Sequence, residues 1–395
     1  MERDSSRYTI FFLIIILQLL WSYANGRFTS IISFGDSLSD TGNLKQLASF
    51  YNQSLPFFMP PYGQTFFHRP TGRCSNGRLV IDFVAESLKL PLVPPYVGGN
   101  TMDMGKGVNY AVAGATALDP SFLEARGVYN KMTNASLRVQ MGWFKESLVS
   151  FCATTSDCKS LLSESLILMG EIGGNDYNHA FVTGKSVKEI KSYVPNVINA
   201  IALTINELID LGAKTIVIPG NLPIGCSAAY LTMYYDSKNE ECDNKTGCII
   251  RLNKFAQYHN MMLINRLNHL QKLHPKVNII YADYYNAAMQ FYTYPETYGF
   301  KYGALKACCG GEGPFNCNPS AACAYTSSTV CAVCADPNSY ANWDGMHLTE
   351  AAYKLIYKGV FQGAYSKPCF NLLCASPLLQ EWDLKAIESR KLQIV

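Results

Sequence analysis

Ser30-Ile31-Ile32-Ser33-Phe34 runs without a break into Gly35-Asp36-Ser37-Leu38-Ser39-Asp40-Thr41-Gly42-Asn43. The first five residues are too few for a helix and carry no charge, so they read as a strand buried on both faces. Four later runs have the same character: 108–112, 166–169, 215–218 and 277–281. Between them, 77–90, 137–151, 187–211 and 249–273 place apolar residues at three-to-four spacing, the pattern of an amphipathic helix. Strands alternating with helices predict an α/β fold, a doubly wound parallel sheet of five strands covered on both faces. No internal repeat or linker interrupts the alternation, so 27–395 reads as one domain.

The composition narrows the function classes. Lys plus Arg number 33 against 30 Asp plus Glu, and 48% of residues are hydrophobic. That balance argues against disorder and against a nucleic-acid binder, whose basic stripe would tilt the charge. Fourteen cysteines, an even number, suggest an oxidising compartment. The amino terminus agrees: an apolar run at 10–17, extended by Leu19, Leu20 and Trp21, falls short of the roughly 20 residues that span a bilayer. Ala24 and Gly26 follow at small-x-small spacing, so 1–26 reads as a signal peptide cleaved after Gly26. The mature chain is then expected in the secretory pathway, extracellular or vacuolar, without stable membrane insertion. Asn52, Asn134 and Asn244 head glycosylation sequons.

Two segments break the rhythm. Residues 50–76 are rich in proline, glycine and aromatics, and Phe57, Phe58, Tyr62, Phe66 and Phe67 are candidates either for an aromatic pocket or for packing beneath a long loop. Residues 294–343 hold six cysteines. There Cys331-Ala-Val-Cys334 has the spacing of a zinc or redox pair, but no second pair completes a metal site, so a structural disulfide is expected. Cys152 and Cys158 are also expected to be bridged. No metal and no organic cofactor is implied.

In open parallel sheets, ligands bind at the carboxyl ends of the strands. The first strand ends in Gly35-Asp36-Ser37, a turn that exposes a hydroxyl beside outward-pointing backbone N–H groups. The second ends near Gly114 and the third at Gly173-Gly174-Asn175-Asp176; with the N–H of Ser37, Gly114 and Asn175 would supply three oxyanion donors. The bland readings are a tight turn at Gly114 and a helix cap at Asn175. Asp344 and His347, three apart on one loop, can supply a base and the carboxylate that orients it. Among the other histidines, His68 and His179 follow strands and stay conceivable, while His259, His269 and His274 lie in or at the end of a helical stretch.

Taken together these blocks resemble the plant GDSL esterase/lipases, within the SGNH hydrolases. The resemblance rests on Gly35 to Leu38, Asn-Tyr-Ala-x-x-Gly at 109–114, Gly-x-Asn-Asp at 173–176 and Asp-x-x-His at 344–347, in that order. Pro70-Thr71-Gly72-Arg73-Cys74-Ser75-Asn76-Gly77-Arg78, Pro223-Ile224-Gly225-Cys226 and Tyr281-Ala282-Asp283-Tyr284-Tyr285-Asn286 are phrases of the same family. The resemblance implies a three-layer α/β/α, flavodoxin-like fold. It also implies Ser37 as nucleophile, His347 as base, Asp344 as its orienter, and an oxyanion hole of Ser37, Gly114 and Asn175. Residues 113–119 and 348–353 look most like the branch that contains acetylajmalan esterase, an alkaloid acetylesterase. The expected substrate is a small-molecule ester with an acetyl or other small acyl group. An acyltransferase on the same machinery and a catalytically silent secreted binding or defence protein are the alternatives.

Overall fold

A computed structural model of the chain describes residues 28–99, 103–235, 240–311, 313–318, 323 and 331–370; the leader at 1–26 lies outside them. Strands β1 (Ser30–Ser33), β2 (Gly107–Asn109), β3 (Ser165–Leu168), β4 (Thr215–Pro219) and β5 (Asn278–Ala282) pair in the order β2-β1-β3-β4-β5, all parallel. Four of them match the apolar runs to within a residue at either end, while β2 takes only the first two residues of the 108–112 run, and 110–112 follow the strand. A sixth strand, Ser366–Lys367, joins the free edge of β5 antiparallel, so the expected five-stranded, purely parallel sheet is corrected to six strands with one reversed. Two residues carry no period-2 signal, and this strand forms only because β5 offers unpaired backbone groups.

Side-chain alternation sorts the sheet into two cores. Ile32, Ile167, Ile216 and Ile279 point to one face and join the helices Leu137–Phe151, Val194–Leu211 and Ile250–Leu273. Ile31, Leu166, Leu168, Val217 and Ile280 point to the other and join Val80–Ser87, Tyr284–Thr293 and Glu350–Tyr357. This is a three-layer α/β/α arrangement, and the period of two along each strand explains why uniformly apolar runs serve both layers. The predicted helix over 187–211 is broken: Val187–Lys191 and Val194–Leu211 are separate, with Pro195 in the first turn of the second. The whole stretch Val187–Leu211 is long and apolar enough by composition to cross a membrane, but Val197, Ile201, Ile205 and Leu208 on one side of it are buried in the core.

The phrase at 70–78 braces two distant parts of the chain. Arg73 donates from Nε and Nη2 to the two oxygens of buried Asp82, at 2.9 and 2.7 Å, and from Nη1 to the carbonyl of Thr41. Ser75 Oγ donates to the Leu348 carbonyl, Asn76 Oδ1 accepts from Glu350 N, and Arg78 pairs with Glu350 at 2.7 Å. The Gly-Asp-Ser turn and the Asp344–His347 loop are thereby tied to one segment. Arg73 and Asp82 are 5% and 0% exposed, so truncating the cation strands a buried carboxylate. Arg73→Ala should lower unfolding free energy by about 3 to 5 kcal/mol, read from the midpoint of urea denaturation at unchanged slope.

Cysteine pairing departs from expectation at one place. Cys152–Cys158 is bridged as predicted, alongside Cys226–Cys248. Cys334 bonds to Cys308 and Cys309 to Cys323, so the Cys331–Cys334 disulfide is not formed. The short strand Ala332–Val333 lies between the two cysteines and pairs antiparallel with Cys309–Gly310, which carries Cys334 toward Cys308. Cys331 Sγ lies 3.5 Å from Cys309 Sγ. Asn52, Asn134 and Asn244 are all exposed.

Candidate active site

The turn after β1 is fastened from every side. Asp40 accepts from the N–H groups of Gly42, Asn43 and Leu44, capping the helix Asn43–Phe50, and from Ala113 N of the neighbouring strand end. Asn109 donates to the Ser39 carbonyl and Thr41 Oγ1. Gln140 takes both polar groups of the Gly35 peptide, accepting from its N–H at 2.9 Å and donating to its carbonyl at 2.8 Å. Within that frame Ser37 is partly exposed. Among the described residues neither its hydroxyl nor its N–H is engaged in a hydrogen bond, while the N–H groups on both sides are, Asp36 N to the Glu171 carbonyl and Leu38 N to Asp36 Oδ1.

Gly114 adopts a φ of +83°, open to glycine at little cost. Its carbonyl accepts from Asn130 Nδ2 at 2.8 Å and is 3.3 Å from His179 Nε2, whereas its buried N–H has no acceptor among the described residues. An unpaired buried N–H is costly unless something else fills the place of an acceptor. The tight turn at Gly114 is therefore real, and it also leaves a donor uncommitted.

Asn175 is the second residue of the helix Gly174–Val182, whose N-cap is Gly173. It does not cap that helix. Its Nδ2 donates to Asp36 Oδ2 at 3.0 Å and to the Ala115 carbonyl at 3.1 Å, touching the residue before Ser37 and the residue after Gly114. Asp176 fixes this junction, its carboxyl accepting from Ala117 N and Leu118 N. Burial pushes Asp176 up to about 7 in spite of those donors. The second and third blocks are thus stitched together by the Asp of the Asn-Asp pair.

Asp344 and His347 form one closed turn. Asp344 Oδ1 accepts from Met346 N and His347 N, and its Oδ2 lies 2.8 Å from His347 Nδ1. Burial alone would raise the Asp344 carboxyl, but the neighbouring imidazole and the N–H donors hold it below the ordinary carboxylate value. Burial alone would lower His347, and the Asp344 carboxylate carries it well above the ordinary imidazole value instead. The His347 charge is felt at Asp36, beside Ser37, and the Cys74 thiol lies against the ring.

The aromatic loop divides between the two readings of it. Phe57 meets the His347 ring edge-on at 5.7 Å, and Tyr62 is buried, donating from its hydroxyl to Asp344 Oδ2 at 2.7 Å. Phe66 and Phe67 instead cover the guanidinium groups of Arg78 and Arg73 at 4.2 and 4.5 Å. Phe58 is half-buried against the core. Sequence reading missed Tyr62 as the partner of Asp344, Gln140 as the clamp on Gly35, and Glu171 beneath the turn. Glu171 did carry a signal, as a carboxylate in an otherwise apolar and glycine stretch at a strand's carboxyl end. His259 is buried, its ring nitrogen 2.8 Å from the Tyr177 hydroxyl, and His68 is exposed.

Comparison with known proteins identifies the family. Residues 31–360 match the family described as GDSL-like lipase/acylhydrolase. Three GDSL esterase/lipases of Arabidopsis thaliana are 53%, 52% and 52% identical over 349, 350 and 349 residues, covering 88% of this chain and 89%, 88% and 86% of theirs. The chain belongs to the GDSL lipase/acylhydrolase family and is a carboxylic ester hydrolase.

Proposed function

We propose that Ser37 is the nucleophile of this hydrolase, His347 its general base and Asp344 the carboxylate that orients the base. Ser37, Gly114 and Asn175 supply the oxyanion hole. Ser37 Oγ attacks the ester carbonyl while its proton passes to His347 Nε2, and the carbonyl electron pair moves onto oxygen. Collapse of the oxyanion expels the alcohol, which takes the proton from His347; water, deprotonated by the same imidazole, then attacks the acyl carbonyl, and the bond to Ser37 Oγ breaks as the serine takes that proton back and the acid leaves. The observation that carries this reading is the pair of N–H groups, at Ser37 and Gly114, uncommitted among the described residues, with the Asn175 amide bonded to the neighbour of each, Asp36 and Ala115. Donors held in place with no acceptor stabilise a charge that appears only in the transition state.

The Asp344 oxygen that faces His347 Nδ1 also accepts from Tyr62. Two donors on one oxygen weaken each other, so removing the hydroxyl tightens the imidazolium–carboxylate pair and raises the base further. A base must be neutral to accept a proton, so the acid limb of kcat/KM lies above the ordinary imidazole value of about 6.5. In Tyr62→Phe that limb should move up by about one pH unit, a shift that a purely packing role for Tyr62 would not produce.

The preferred substrate in this reading is a small acyl ester, acetyl foremost, of a specialised metabolite such as an alkaloid. The chain acts in the secretory pathway, as the apolar leader and the disulfides support. Hydrolysis is separated from acyl transfer by product partition: the enzyme with its best ester donor and millimolar alcohols should yield mainly free acid. If one acceptor captured most of the acyl group and turnover nearly ceased without it, the chain would be an acyltransferase. No turnover of any acyl ester would favour a silent binding protein.

A further inference from the structure

Behind the turn that carries Ser37 lie two buried carboxyl groups that the proposed mechanism does not use. Asp36 and Glu171 are 2% and 5% exposed. Asp36 Oδ1 accepts from Leu38 N and its Oδ2 from Asn175 Nδ2, both at 3.0 Å. The Glu171 carbonyl accepts from Asp36 N at 3.0 Å, and its carboxyl folds back to accept from Gly174 N at 3.2 Å. That fold-back requires glycine at 174, since a Cβ there would stand 2.9 Å from Glu171 Oε2. The two carboxyl groups lie against each other, each acting on the ionisation of the other.

We propose that Glu171 and Asp36 share one proton and, as a pair, hold the Asn175 amide for the oxyanion step, both acting as positioning residues. The inference rests on the reading of Asn175 as an oxyanion donor. Two carboxylates in contact cannot both ionise in a buried site. Burial raises the Asp36 carboxyl as well, but its two N–H donors and the facing His347 oppose that, so Asp36 is the charged member of the pair. Glu171 keeps the proton: burial and then the charge of Asp36 raise it well above the ordinary carboxylate value, and Asp176 adds to the effect. The other titratable groups facing the pair are Tyr177, Tyr284 and Tyr353, each held neutral by burial.

The arrangement answers a difficulty at Asn175. Both of its amide hydrogens are already engaged, one by the Asp36 carboxylate and one by the neutral Ala115 carbonyl. Hydrogen bonds to an ionised acceptor are about twice as strong as neutral ones. A developing oxyanion therefore displaces Ala115, while Asp36 remains the pivot that aims the amide. The Glu171 proton keeps the pair at a single negative charge. Its loss at alkaline pH places a second charge beside the oxyanion and drives the carboxyl groups apart, and turnover falls.

The test is the pH profile of kcat and KM for wild type, Glu171→Gln and Asp36→Asn, each also built on Asn175→Ala, with thermal melts to confirm folding. Glu171→Gln still donates to Asp36 but cannot lose a proton, so the alkaline limb should disappear. Asp36→Asn should lower kcat by about 10- to 100-fold at little-changed KM, as expected when a positioning contact is lost. On Asn175→Ala both changes should have almost no further effect. The proposal is overturned if Glu171→Gln keeps the wild-type alkaline limb, or if Asp36→Asn costs the same factor with and without Asn175. Should Asp36→Asn fail to fold, the Glu171→Gln profile decides alone. If Asn175→Ala itself leaves kcat unchanged, the oxyanion reading falls and this inference with it; a slow Asn175→Ala together with an alkaline limb that survives Glu171→Gln overturns this inference alone.

Discussion

Ser37→Ala should lower kcat by about 10⁴-fold or more in a protein that remains folded, and Ser37→Ala/His347→Ala should be hardly slower than the single variant. The reason is that nucleophile and base act as one unit, so the first deletion removes the covalent route and leaves nothing for the second to remove. Asp344→Asn should cost about 10⁴-fold by a different path. The carboxylate is 2.8 Å from His347 Nδ1, and an amide placed there presents a donor to that nitrogen and favours the tautomer whose Nε2 is already protonated. An organophosphate should label Ser37 alone, located by peptide mass mapping. A folded Ser37→Ala with wild-type turnover would sink the assignment. Ser37 Oγ is not bonded to His347 before substrate arrives, consistent with catalytic hydrogen bonds that tighten only in the complex.

Asn175→Ala should lower kcat by about 10² to 10³-fold with little change in KM. A donor aimed at the oxyanion contributes more in the transition state than to the ground-state carbonyl, so the loss falls on turnover. The competing account has Asn175 as a helix cap, for which about 1 kcal/mol of stability and no turnover would be lost. The structure weakens that account, since Gly173 is the cap and the Asn175 side chain spans Asp36 and Ala115 instead. Measuring the melt and kcat on one preparation separates the two. Equal kcat with a lower melting temperature would remove Asn175 from the oxyanion hole.

The layered architecture was legible because its signal is local. Five short apolar runs between amphipathic helices admit few arrangements once strands must be parallel and covered on both faces. The sixth strand was not legible, because two residues at 366–367 take strand form only from the exposed edge of β5. Disulfide pairing shows the same limit. Cys152 and Cys158 lie close along the chain and were paired in advance, while Cys308–Cys334 depends on how a later hairpin folds against it.

The site divides in the same way. Residue types and their order named Ser37, Gly114, Asn175, Asp344 and His347, because the proposed chemistry demands a hydroxyl, a base, a carboxylate and donors, and the strand ends are where such groups converge. Only the tertiary structure assigned what surrounds them. Tyr62 reaches Asp344 across 282 positions of sequence, and Asn175 reaches Asp36 across 139. Ser75 meets Leu348 across 273. Contacts of that span leave no periodicity in either segment, since each side chain obeys its own local pattern. Burial then decides their electrical state: a carboxyl such as Glu171 reads as an ordinary anion in sequence and becomes a proton holder only when the fold removes it from water and sets a second carboxylate against it.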